Sequence, residues 1–295
     1  MGQDSNRGEK DLHDRGLEAD LAAIRAQLRR RALLKLMGGA VALVLVGCGD
    51  EGEGASDPTP SPEGTVGLAA TPAAVTVTPL PTEATPRSAC TDAIPPETAG
   101  PFPADGSNGP NVLAQTGIVR HNIRSSFGIS STVAEGVPLT VRLQVVDTAN
   151  GCRPLANAAV YLWHCDARGR YSVYELPGEN YLRGVQPTDG EGWVTFETVF
   201  PGCYAGRWPH IHFEVYPDLE RATSSANKVL TSQLALPRDV CERVYARGEY
   251  GNSARNLASL SLERDTIFRD GWQRQMATVS GDAESGYLAT LVVGV

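Results

Sequence analysis

From Val137 to Val145 apolar and polar residues alternate: Val137, Leu139, Val141, Leu143 and Val145 are interleaved with Thr140, Arg142 and Gln144. Successive side chains of a strand point to opposite faces, so this pattern predicts a half-buried strand with one face in a core. Ala159–Trp163, Trp193–Val199 and Tyr287–Val293 are further short strand-like runs, separated by turn-rich segments such as Thr188, Asp189 and Gly190. Long helical patterns are scarce, and a short helix is expected within Tyr245–Asp270. The expected fold is mostly β: a β-sandwich of mixed short strands with long loops and little helix. The chain shows no fixed-period repeat, which removes solenoids and propellers.

The globular part is expected to span residues 90–295, enough chain for one sizeable core. Residues 49–89 are dominated by Pro, Thr, Ala, Gly and Glu, which bury too little apolar surface to offset the entropy of ordering, and read as a disordered tether. Upstream, Arg29, Arg30 and Arg31 precede Ala32, Leu33, Leu34 and Lys35, and an apolar stretch then runs from Leu36 to Gly47 and Cys48. This is a targeting segment. Its arginines, leucines and lysine resemble a twin-arginine export signal, and Leu45, Val46, Gly47 and Cys48 resemble a lipobox in which Cys48 is acylated. The lipobox resemblance favours a lipoprotein leader over an uncleaved anchor, for which residues 32–48 are at the short end of the range. The expected location is outside the cytoplasm: a lipoprotein of the cell envelope, or a periplasmic or extracellular protein, meeting the membrane only through its N-terminal anchor. Leu17, Leu21, Ile24 and Leu28 recur at helical spacing ahead of the leader, with no function assigned.

The formal net charge is −8, and residues 1–47 carry more basic than acidic side chains, so the remainder is more acidic still. Such a surface argues against nucleic acid as a partner. Cysteines stand at 48, 90, 152, 165, 203 and 241. An oxidising compartment permits disulfides, and five cysteines downstream of Cys48 leave at least one thiol unpaired within the chain. A local bridge between Cys152 and Cys165, which flank a predicted strand, is one option.

The segment Pro201 to Phe213 carries the clearest chemistry. If it ends in a strand, His210 and His212 project together while Ile211, Phe213 and Val215 face the other side. Two imidazoles aimed at one point suit a transition metal, although a lone His-x-His is as often a surface or core accident. Tyr204, six residues before His210, and Arg207, three before it, bring a phenol and a fixed positive charge toward the same place. A second cluster runs from Val160 to Ser172, a strand leading into a turn at Tyr171, which in isolation would be an ordinary packing residue.

Taken together these motifs resemble the intradiol ring-cleavage dioxygenases, the family of catechol 1,2-dioxygenase and protocatechuate 3,4-dioxygenase. The resemblance rests on Trp163, Asp166, Ala167, Gly169, Tyr171 and Ser172, on Arg183, Gly184, Val185, Gln186, Thr188, Asp189 and Gly192, and on Pro201, Gly202, Tyr204, Gly206, Arg207, His210, Ile211 and His212. It implies that Tyr171, Tyr204, His210 and His212 bind a non-haem iron(III), with Tyr204 the ligand that leaves when substrate arrives. It implies that Arg207 lies over the substrate ring and that Gln233 is the family's active-site glutamine. It also implies that Gly100 and Pro101, within Glu97 to Phe102, border the substrate pocket, with Ala99 where the family usually has glutamate. The implied reaction opens a small aromatic diol between its two hydroxylated carbons with O2, giving a muconate-type diacid. Hard iron(III) prefers anionic oxygen, so two phenolates and a hydroxide would balance its charge while both imidazoles stay neutral.

Two alternatives stand beside this reading. Cys152 to Ala159 resembles a turn-and-strand entry also found in non-catalytic sandwich domains, so a surface-displayed binding module remains open. A zinc hydrolase built on His210 and His212 would need a third ligand, with His121 and His164 available on paper. Oligomeric state is open, and nothing in the chain demands a second subunit.

Overall fold

A computed structural model describes residues 92–128 and 130–295. The leader with Arg29–Arg31 and Cys48, the helical pattern of Leu17 to Leu28, the tether 49–89 and Cys90 lie outside the described residues.

Strand β1 (Pro138–Asp147) is the one its alternation predicts, with Leu139, Val141, Leu143 and Val145 buried on one face. β1 pairs antiparallel with β5 (Trp193–Val199) and, at its far end, with the short β2 (Arg153–Pro154). On its other side it runs parallel to β9 (Gly286–Gly294), which in turn pairs with β8 (Thr278–Asp282). The second sheet is wholly antiparallel and runs β4 (Arg183–Pro187), β3 (Ala159–Trp163), β6 (His210–Tyr216), β7 (Leu230–Ala235). The β-sandwich expectation therefore holds, with β3 and β5 at the boundaries read from the sequence.

The two sheets meet through one core that joins Val141, Leu143, Val194, Phe196, Ala289 and Leu291 to Val160, Leu162, Ile211, Phe213 and Val215. The opposite face of the second sheet is covered as well. There Tyr161, Trp163 and Tyr216 pack with Tyr171 and with Ala104, Val112, Leu113 and Ile118 of the segment before β1. This second cover explains why every residue of β3 and β6 is buried. A strand between two packed layers loses the polar-out half of its pattern.

Helix α1 (Arg238–Tyr245) buries Val240, Cys241, Val244 and Tyr245 against the main core. It begins after Pro237 and carries Asp239 in its first turn and Arg243 in its last, the charge order that suits the helix dipole. The sequence reading expected a helix only downstream, where α2 (Ser253–Ala258) stands.

The Cys152–Cys165 bridge does not form. Cys165 is a buried free thiol whose Sγ lies 3.5 Å from the Gly202 carbonyl oxygen, and Cys152 is disulfide-bonded elsewhere. Cys203 and Cys241 are also free and buried, so the described part holds three thiols.

Candidate metal and substrate site

The site grows from the register of the second sheet. Trp163 of β3, His212 of β6 and Gln233 of β7 are cross-strand neighbours in one row, and His210 lies two residues back along β6. The odd-even rule for strands puts both imidazoles on the face away from the main core, under the loop layer. Both are buried. His210 is oriented by its Nδ1, which donates to the Trp208 carbonyl oxygen at 2.5 Å and so leaves a lone pair on Nε2. His212 is oriented by stacking: its ring lies 4.8 Å from that of Trp163 with 6° between planes, and Trp163 stacks in turn on Tyr161 at 4.9 Å.

Tyr171 and Tyr204 arrive on two loops that can approach only because two positions lack side chains. In the turn after β3, Asp166 Oδ1 accepts from the Arg168 and Arg170 amides, and Asp166 Oδ2 accepts from the Arg170 guanidinium. Gly169 closes that turn at φ +81°, and a Cβ there would sit 3.1 Å from the Tyr204 Cβ. A Cβ on Gly202 would meet the Ala167 carbonyl oxygen at 2.6 Å. The loops therefore nest, and the two phenols come edge to face with ring centroids 6.0 Å apart. The Tyr171 amide donates to Glu175 Oε2, which fixes its backbone.

Four side-chain heads converge as a result. Tyr171 Oη is 3.5 Å from Tyr204 Oη, Tyr204 Oη is 3.2 Å from His210 Nε2, and His210 Nε2 is 3.1 Å from His212 Nε2. Burial raises the Tyr171 phenol well above the ordinary range and pushes Tyr204 up to about 12, the nearby Arg207 charge opposing it at Tyr204. Burial, with Arg207 reinforcing it, lowers His210 to about 3, and burial together with His210 and Arg207 lowers His212 well below its usual value. Burial thus favours the neutral form of both imidazoles, and the lone pair of His210 Nε2 faces the Tyr204 hydroxyl. The His212 Nδ1 is buried without a hydrogen-bond partner among the described residues.

This donor set fits a hard trivalent cation. Two neutral nitrogens and two phenols held within hydrogen-bond reach of one another, in a dry setting that opposes phenolate formation, gain most when a multiply charged ion takes up the negative charge. Among the described residues the zinc alternative lacks its third ligand. His121 is exposed and bonded to Glu197 and the Thr195 carbonyl oxygen, while buried His164 bonds the Cys165 carbonyl oxygen and Thr198 Oγ1. Among the described residues no group of three or more His, Cys, Asp or Glu is placed to hold a metal.

Arg207 is fastened beside these four. Its Nε donates to both carboxylate oxygens of Asp265 at 3.3 and 3.1 Å, and its Nη2 donates to Gln233 Oε1 at 2.7 Å. Gln233 Nε2 donates to the Thr98 carbonyl oxygen, which ties the pair to the segment crossing the site. Asp265 also accepts from the amides of Trp208, Ile267 and Phe268. Burial works against its charge, yet Arg207 and these amides hold its carboxyl below the usual range. The sequence reading placed Arg207 and Gln233 but missed Asp265, which sits 58 residues from its partner and has no local signature.

Gly100 and Pro101 lie on that crossing segment. Gly100 has φ +67°, and a Cβ there would stand 3.4 Å from His212 Cε1, so the backbone passes directly over the imidazole. Pro101 lends its carbonyl oxygen to Asn108 Nδ2, and Phe102 packs on Tyr171 and Tyr174 at 5.0 and 5.1 Å. Two buried cations fasten the cover. Arg183 donates to the Pro103 carbonyl oxygen, the Tyr161 hydroxyl and both oxygens of Ser172. Lys228 bridges Glu214 of β6 and Asp105 of the cover at 2.7 and 3.4 Å. In the sequence Arg183 is marked only as a motif member, and the Lys228 cluster, drawn from distant segments, carries no local signature.

A family model described as Dioxygenase matches residues 108–240. Protocatechuate 3,4-dioxygenase beta chain of Burkholderia cepacia is 34% identical over 30% of this chain and 44% of its own length. Catechol 1,2-dioxygenase of Pseudomonas sp. strain EST1001 is 34% identical over 24% of this chain and 23% of its own. The chain thus spans less than half the length of the curated relatives it matches. Among solved structures, an intradiol ring-cleavage dioxygenase from Tetranychus urticae aligns at 25% identity and a TM-score of 0.53, covering 69% of this chain and 94% of the other.

Proposed function

The chain belongs to the intradiol ring-cleavage dioxygenases, and from that premise we propose that it opens catechol-type diols between the two hydroxylated carbons, using O2 and yielding muconate-type diacids. The observation that carries this reading is the convergence of Tyr171 Oη, Tyr204 Oη, His210 Nε2 and His212 Nε2 within steps of 3.1 to 3.5 Å. A binding module has no use for two phenols and two imidazoles drawn together in this way.

Iron(III) held by these four residues would supply the electron withdrawal that readies a chelated diol for dioxygen. The rest falls to the protein. Tyr204, half-buried, is the side chain able to swing away, and held as the phenolate it would accept a substrate proton on its oxygen. Tyr171, buried and locked by Glu175 and Phe102, stays in place. Arg207 stabilises negative charge as it develops on the ring and its oxygens, and a charge held in advance in a water-poor site acts more strongly than one in solvent.

We also read residues 1–48 as an export leader acylated at Cys48. Replacing Cys48 with Ala should release the protein from the membrane fraction, and retention there would contradict the anchor.

The activity is tested by giving the full-length chain, in detergent, a panel of substituted catechols under isotopically heavy O2 and weighing the products. A diacid carrying both heavy oxygen atoms is expected from at least one member of the panel. Absence of product from every member, with the metal site loaded, would remove the enzyme reading.

A further inference from the structure

Arg207 does not act as a free cation. Three sides of its guanidinium are engaged: Nε by both oxygens of Asp265, Nη2 by Gln233, and one face by the Phe268 ring at 5.9 Å. Among the described residues, Nη1 alone has no hydrogen bond to take it away from a ligand. Asp265 cannot turn aside, because its carboxylate is buried and is held by the Trp208, Ile267 and Phe268 amides at 2.6, 2.8 and 3.1 Å. A fixed carboxylate about 3 Å from the guanidinium reduces the pair, seen from a ring substituent several ångströms away, to a dipole. Such a pair can still stabilise charge that forms against Nη1. It offers little attraction to an anionic group already present on the substrate.

The rim adds to this. Glu97 lies on the segment that carries Thr98 and Gly100 over the site, and its carboxylate is held by Gln275 Nε2 at 3.2 Å. Asp270, Arg207 and Asp265 are among the charges that act on Glu97, which therefore shares the field of the Arg207 pair.

We propose that Asp265 is a positioning residue that aims and neutralises Arg207, and that with Glu97 at the rim it restricts this site to diols without an anionic ring substituent. The inference rests on the ring-cleavage reading.

The test compares kcat and KM for catechol and for 3,4-dihydroxybenzoate in the iron-loaded full-length chain and in its Asp265→Asn and Glu97→Gln variants. The unaltered chain should favour catechol in kcat/KM by about tenfold or more, a difference of about 1.4 kcal/mol. Asp265→Asn should lower kcat on catechol at least tenfold while narrowing the preference several-fold, because Arg207 is then uncompensated. Glu97→Gln should narrow it in the same direction and, being a half-exposed rim position, decides the matter if Asp265→Asn fails to fold. A preference of the unaltered chain for 3,4-dihydroxybenzoate would overturn the proposal, as would variants that slow both diols by one common factor, the mark of a purely structural role. Failure to open any diol would instead overturn the ring-cleavage reading and this inference with it.

Discussion

The ring of Trp163 lies flat on that of His212, with centroids 4.8 Å apart and 6° between their planes. The stack fixes the orientation of an imidazole whose Nδ1 has no hydrogen-bond partner among the described residues, so Trp163 does for His212 what the Trp208 carbonyl does for His210. Residues that orient metal-binding histidines commonly govern affinity by about 10- to 100-fold. Trp163→Leu should therefore weaken iron binding by that order, read by metal competition on the folded protein. Unchanged affinity would show that the strand alone positions His212.

Gly202 makes a different kind of contribution, since it sets the distance between two loops. Gly202→Ala would press a Cβ into the Ala167 carbonyl at 2.6 Å, where backbone and not a flexible side chain must give way. The expected cost is about 1–3 kcal/mol, together with separation of Tyr171 from Tyr204. A thermal melt and the tyrosinate colour of the iron-loaded protein should both report it. An unaltered melt and band would mean that the loops have slack.

The cluster of Lys228, Glu214 and Asp105 holds the cover to β6. Both carboxylate side chains are fully buried, so Lys228→Met leaves two buried acids without a cation and should destabilise the fold by about 3–5 kcal/mol at neutral pH. Burial already raises the Glu214 carboxyl, with Lys228 opposing that rise. In the variant Glu214 rises further, and a carboxyl that binds its proton more tightly when folded regains stability as pH falls toward its unfolded value. Denaturant titrations should show the penalty shrinking on acidification. A penalty independent of pH would assign the loss to packing.

His164 titrates in the opposite sense. Burial lowers it to about 4 from an ordinary 6.5, with its Nε2 held 2.7 Å from Thr198 Oγ1. A histidine kept neutral in the fold contributes stability above pH 6.5 and loses it as pH falls from there toward 4. His164→Gln should flatten that part of the stability profile relative to the unaltered chain. Equal slopes in the two proteins would place the acid sensitivity elsewhere.

The parts of this molecule readable from the sequence are those in which a physical period or a local motif carries the information. Alternation from Val137 to Val145 announced β1, and the two-residue spacing of His210 and His212 put both on one strand face. Tyr171 was legible only through the family resemblance, whose motif includes the Asp166 and Gly169 that build its turn. Asp265 was not, because its pairing with Arg207 appears only once the 3-10 turns after α2 fold back on β6. The Lys228 cluster joins three distant segments and shows no local pattern. Helix α1 is only eight residues long and follows a strand directly, leaving its periodicity too little length to stand out.

The visible absorption spectrum of the iron-loaded protein, before and after anaerobic addition of catechol, tests the central claim most directly. Phenolate bound to iron(III) gives an intense red charge-transfer band, and the account predicts that band with one iron per chain, moving to longer wavelength when the diol binds. Tyr171→Phe and Tyr204→Phe should each remove part of the intensity. A protein that stays colourless after reconstitution with iron(III) would mean that Tyr171 and Tyr204 do not ligate the metal, and the proposed site would fall with them.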